Sequence, residues 1–150
     1  MTIDTSKKLS ENFTLSEFLE SATADKLGIK NTPTLLDIYH MEELCRNLLQ
    51  AIRDAWGKPI KVNSGYRCPR LNKAVGGSAT SVHMRGWAAD IKPTSGTYAD
   101  FEKFVVEFLK KSGLKWDQII REKSGNSKWL HIGYKNNAGK QRMMIFDINK

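Results

Sequence analysis

Ser81-Val82-His83-Met84-Arg85-Gly86-Trp87-Ala88-Ala89-Asp90-Ile91-Lys92 passes from a polar turn into an alternating stretch. Residues 86–92 read as a strand, in which successive side chains leave opposite faces. Ala89 and Ile91 point one way; Gly86, Ala88 and Asp90 point the other. Asp90 thus stands on a face cleared of bulk by two small residues. That suits a carboxylate with a bound partner, or a strand-end aspartate paired with a lysine. A turn at Arg85-Gly86 can fold His83 back over the same face.

Downstream, residues 129–134 form a second alternating strand. Leu130 and Ile132 supply its core face, so His131 projects from the opposite one, beside Gly133. Residues 116–122 pair with it through the polar turn 123–128, and 142–148 supply a further strand. Upstream, Ile60 to Ser64 alternates as a short strand, and 65–80 is a long structured loop with a helical turn at 70–75. Thr34 caps the main helix. Its apolar residues Ile38, Met41, Cys45, Leu48, Leu49 and Ile52 recur at helical spacing until Gly57 and Pro59 stop it. Thr97 caps another helix, with the stripe Phe101, Phe104, Val105, Phe108 and Leu109, ended by Lys110, Lys111 and Gly113. Thr14 and Glu17 have capping-box form ahead of a short helix to Ala24. His40, on the main helix, reads as an ordinary surface or half-buried histidine. These elements predict one α+β domain over residues 14–150, a small antiparallel sheet with helices packed on one side. Residues 1–13 are expected to be a flexible N-terminal arm.

Composition bounds the function. The chain has 150 residues, 40% hydrophobic and 27% charged, enough for one folded core. No run approaches the roughly 18 apolar residues of a membrane helix. Residues 1–11 lack the apolar region of a secretory signal, so a cytoplasmic location in the producing cell is expected. Cys45 and Cys68 are too few for a disulfide framework and too far apart for a redox pair. The net charge of +8 favours a polyanion as partner. The basic residues are scattered, which argues against nucleic acid.

His83, Asp90 and His131 make a minimal protein set for a catalytic divalent metal. Three protein ligands leave a fourth tetrahedral position for water, whose pKa the metal lowers towards neutrality. The same donors also suit the facial triad of a non-haem iron oxygenase, so the residue types leave zinc and iron both open. No H-E-x-x-H occurs, which excludes a helix-borne metalloprotease site.

Ser64-Gly65-Tyr66-Arg67, then Ser81-x-His83-x-x-Gly86-x-Ala88-x-Asp90, then Trp129-x-His131 resemble the zinc murein peptidases. That family includes D-alanyl-D-alanine carboxypeptidases, vancomycin-resistance dipeptidases and phage L-alanyl-D-glutamate endolysins, and shares its fold with the hedgehog signalling domain. The likeness is greatest to short phage and prophage members and spans roughly residues 14 to 146. It implies zinc on the open face of the sheet, with His83, Asp90 and His131 as ligands. It implies Arg67 as a holder of a substrate carboxylate or carbonyl, Ser81 as a substrate hydrogen-bonding residue, and Gly76-Gly77 as a tight turn.

Several branches of the family place an acid shortly before the last histidine; here the residue three before His131 is Lys128. Glu122 is the nearest upstream acid. If it pairs near Trp129 across the hairpin, it shares a face with His131 and can serve as general base. Asp117 is the runner-up. The expectation is a monomeric zinc peptidase that hydrolyses peptidoglycan stem peptides, as carboxypeptidase or endopeptidase, without inserting in a membrane or binding nucleic acid. It would act on the wall after release, as phage or prophage endolysins do. The alternatives are a non-catalytic zinc module of the same fold, an iron oxygenase and a basic nucleic-acid-binding domain.

Overall fold

Thr34 starts the longest helical rod with a reciprocal cap: its backbone N–H donates to Asp37 Oδ2 (2.9 Å), and Asp37 N–H donates to Thr34 Oγ1 (3.1 Å). In the computed structural model, which describes residues 3–135 and 141–150, the rod runs from Leu35 to Trp56. It comprises α3 (Leu35–Leu44), a π-helical section (Cys45–Leu49) and α4 (Gln50–Trp56). The π section rotates the face, yet Met41, Leu44, Cys45, Leu48, Leu49 and Ile52 are all fully buried. Gly57 ends the rod in the left-handed conformation (φ 75°). Ahead of it lie β1 (Lys8–Ser10), β2 (Phe13–Thr14), α1 (Leu15–Leu19) and α2 (Ala22–Leu27).

Residues 1–13 were expected to be a free arm, and the described part of that segment is docked instead. Lys8–Ser10 pairs antiparallel with Phe13–Thr14, and Leu9 and Phe13 are buried in the main core. Two lone apolar residues show no periodicity, so only their tertiary contacts reveal them. The helix expected up to Ala24 is also broken in two, because Ser21 caps a new start by accepting from Ala24 N–H at 3.1 Å.

The remaining elements are β3 (Ile60–Ser64), α5 (Pro69–Ala74), a 3₁₀ turn (Val82–Arg85), β4 (Ala88–Pro93), α6 (Tyr98–Ser112), β5 (Gln118–Ser124), β6 (Ser127–Gly133) and β7 (Met144–Asn149). The five-stranded sheet has the order β3-β4-β6-β5-β7. Its pairs are antiparallel except β5 with β7, which run parallel, so the sheet is mixed rather than wholly antiparallel. Ala89, Ile91, Ile119, Leu130 and Ile132 pack against the helices in one core. The opposite face carries Asp90, Ile120, Glu122, Trp129 and His131 and floors a cleft. No helix among the described residues is long and apolar enough to cross a membrane.

Gly86 fixes the turn that feeds β4. It sits at φ 74°, and a Cβ there would lie 2.5 Å from the Asp37 carbonyl oxygen on α3. Gly86→Ala is therefore expected to destabilise the fold by about 2–4 kcal/mol, from left-handed strain plus displacement of the helix backbone. Urea unfolding monitored by tryptophan fluorescence measures this, and a loss below the scatter of surface substitutions contradicts it.

Candidate metal centre

Each member of the triad is delivered by a local rule. Ala88 faces Gly133, Ala89 faces Ile132, Asp90 faces His131 and Ile91 faces Leu130 in the β4–β6 ladder. Directly opposed residues share a face with their Cβ atoms about 5 Å apart, so the carboxylate and the imidazole meet across the strands. His83 comes from the 3₁₀ turn, which Ser81 caps by accepting from His83 N–H at 3.3 Å. A bulge in β3 between Val62 and Ser64 turns the chain so that the Gly65 carbonyl faces the His83 ring.

The hydrogen bonds set the tautomer of His83. Its Nδ1 lies 2.7 Å from the Gly65 carbonyl, which can only accept, so Nδ1 carries the proton. On a neutral ring Nε2 then presents a lone pair, and it faces Asp90 Oδ1 at 3.3 Å. His131 Nδ1 approaches the same oxygen at 3.1 Å. Lone pairs converging at such distances repel unless a cation, or added protons, lie among them. Donors about 2.0–2.1 Å from a tetrahedral ion are separated by about 3.3–3.4 Å; the 3.3 Å pair fits this and the 3.1 Å pair is slightly closer. All three ligand atoms lie within 4.8 Å of one another, and all three residues are buried. The donor set thus fits a divalent metal. Burial opposes ionisation of Asp90, but His83 and His131 outweigh it and hold the carboxyl well below the usual carboxylate range.

Glu122 stands beside the triad. It opposes Trp129 in the β5–β6 hairpin, the register that puts it on the face of His131. The turn between these strands is only Gly125-Asn126, shorter than the expected six-residue loop. Glu122 Oε2 accepts from Trp129 Nε1–H at 3.1 Å and lies 3.8 Å from His131 Nδ1, while Oε1 pairs with Lys150 Nζ at 3.2 Å. The carboxylate is 7% exposed and lines the cleft.

Asp117 is placed elsewhere. Its two oxygens are taken by Arg142, with Nε–Oδ1 and Nη2–Oδ2 both at 2.9 Å, so it is the anchor of a guanidinium rather than a base. Burial raises its pKa, yet the Arg142 hydrogen bonds prevail and keep it below the ordinary value. Arg67 lines the cleft, and its Nη2 donates to Ser81 Oγ at 3.2 Å. Ser81 therefore caps the His83 turn and supports Arg67, in addition to any contact its hydroxyl makes with a ligand. Burial depresses the Arg67 pKa, countered by Asp90 and Glu122. Gly76 takes φ 75°, whereas Gly77 is held by the close approach of the Asn72 side chain to the place a Cβ would fill.

Two contributors escape the sequence. His40 is 4% exposed rather than superficial, and its Nδ1 meets the Arg85 carbonyl at 2.7 Å, tying α3 to the turn that bears His83. Arg142 enters the cleft from the start of the last strand. The cleft measures about 1010 Å³. Arg67, Arg85, Lys135, Arg142 and Lys150 line it, against only Asp90 and Glu122 as acids among the described residues.

The family described as peptidase M15 matches residues 11–132, most of the chain. A 44-residue stretch is 54% identical to the zinc D-Ala-D-Ala carboxypeptidase of Streptomyces albus G. That stretch covers 29% of this chain and 17% of the relative.

Proposed function

Because this chain belongs to the peptidase M15 family, we propose that it is a zinc-dependent peptidase of peptidoglycan stem peptides. The observation that carries the reading is the convergence of His83 Nε2, Asp90 Oδ1 and His131 Nδ1 next to a buried carboxylate in a basic cleft. The similar carboxypeptidase of Streptomyces albus G supports zinc as the metal and D-Ala-D-Ala peptides as the substrate class. His83, Asp90 and His131 would hold the ion. Bound there, zinc supplies Lewis-acid polarisation of a carbonyl and lowers the pKa of a water.

The chain's own residues do the rest. Glu122 accepts the proton of the attacking water at a carboxylate oxygen and returns it to the departing amine. Trp129 Nε1–H and Lys150 fix that carboxylate from two sides. Arg67, steadied by Ser81, takes a substrate carboxylate or carbonyl with its fork. The Gly65 carbonyl holds His83 in one tautomer and orientation. The +8 charge draws the protein towards an anionic wall. An endolysin of phage or prophage origin, kept in the producing cell until release, has these needs.

The test is mass spectrometry of purified muropeptides after incubation with the zinc-loaded protein. Loss of D-Ala, or one internal peptide cut, is expected, and EDTA should abolish it. Zinc binding with intact muropeptides would instead identify a non-catalytic module.

A further inference from the structure

Two of the cleft's three arginines are held on opposite flanks of the triad. Arg67 follows β3, at one edge of the sheet; Arg142 precedes β7, at the other. Asp90 and His131 lie on β4 and β6 between them. Strands about 4.8 Å apart put the edge strands of five roughly 19 Å from each other, the span of a short extended peptide.

Arg142 is built as a site. Its partner Asp117 has a side chain only 3% exposed, whereas the Arg142 side chain is 44% exposed and lines the cleft. A mere staple for β7 would not need this pair. The backbone is already fastened by Met143 N–H to the Trp116 carbonyl (3.0 Å), Met144 N–H to the Asp117 carbonyl (3.1 Å) and Arg142 N–H to Asp117 Oδ1 (3.2 Å). The bidentate bond adds orientation. It occupies Nε and Nη2 and leaves Nη1 with no partner among the described residues. Asp117 N–H in turn donates to the Gly133 carbonyl at 2.8 Å, linking the arrangement to the strand of His131. The segment is pinned again where Lys135 N–H donates to Gln141 Oε1 at 2.9 Å. A guanidinium fixed before its ligand arrives gives up little entropy on binding it.

We infer that Arg142 is a specificity-determining residue that receives a second carboxylate of the substrate, one remote from the group held by Arg67. The ligand class is then an extended peptide with two separated carboxylates, lying across the strands with its scissile bond over β4 and β6. Asp117 is the positioning residue for that contact. The inference rests on the proposed peptidase reading for its substrate class, and it names a residue beyond the 11–132 family match.

Calorimetry on zinc-loaded protein carrying Glu122→Gln, so that no cleavage intervenes, compares two stem peptides. They differ only in whether the α-carboxylate of the internal acidic residue is free or amidated. The parent should bind the free acid roughly 10–100-fold more tightly, the usual weight of a charge-assisted pair. Arg142→Gln should erase that preference, so that the two peptides bind alike. Arg142→Lys, which keeps the charge without the fork, should retain part of it. Equal affinity of the parent for both peptides, or a preference that survives Arg142→Gln, overturns the inference. Cleavage of the same peptides by the unmodified protein reports separately on the peptidase reading.

Discussion

Asp90→Asn is expected to lose zinc. The amide has the size and the hydrogen-bonding reach of the carboxylate, so the fold should persist, but the single anionic donor of the triad is gone. Apparent zinc affinities of roughly 10–16 kcal/mol, shared over four ligands, give each about 3 kcal/mol, or roughly a 10²–10³-fold weakening when one is lost. The actual loss lies towards the upper end. Asp90 is buried, and its Oδ1 faces both imidazole nitrogens, so no solvent-exposed side chain can move in to replace it. Competition with a chromogenic chelator measures the affinity, and metal content after dialysis gives an independent reading. Zinc retained by Asp90→Asn at parental affinity would remove the carboxylate from the metal centre and, with it, the catalytic account.

The two strand-borne members of the triad were legible because they rest on period-two alternation, whereas His83 comes from the 3₁₀ turn ahead of β4. Ala89 and Ile91 turned inward force Asp90 outward, and Leu130 and Ile132 force His131 outward by the same parity. Glu122 followed from hairpin register, since pairing with Trp129 is enough to place it on that face. Parity fails one residue before a strand begins. Asp117 lies just ahead of β5, and its partner Arg142 lies 25 residues further on, so no local pattern joins them. The direction of β7 was illegible for a related reason. Alternation tells which face a side chain takes, not whether neighbouring strands run together or opposed, and that choice is set by how the chain crosses over. His40 had the periodicity of a helix flank, and its bond to the turn carrying Arg85, 45 residues away, is not visible in local pattern.

Glu122→Gln is expected to cut kcat by about 10²–10⁴-fold on a stem peptide, the usual weight of a positioned proton carrier. KM should change far less, because the amide is isosteric and its oxygen can still accept from Trp129 Nε1–H. Zinc affinity should hold, since the carboxylate sits outside the triad, at 3.8 Å from His131 Nδ1. The split between kcat and metal affinity separates a proton carrier from a residue that only shapes the centre. A structural role would lower thermal stability or zinc binding along with rate. Asp117→Asn provides the contrast: its carboxylate is closed off by Arg142, so its loss should act on peptide affinity and leave the proton steps intact. Parental kcat in this variant would move the base to another group in the cleft, while leaving the triad and its metal untouched.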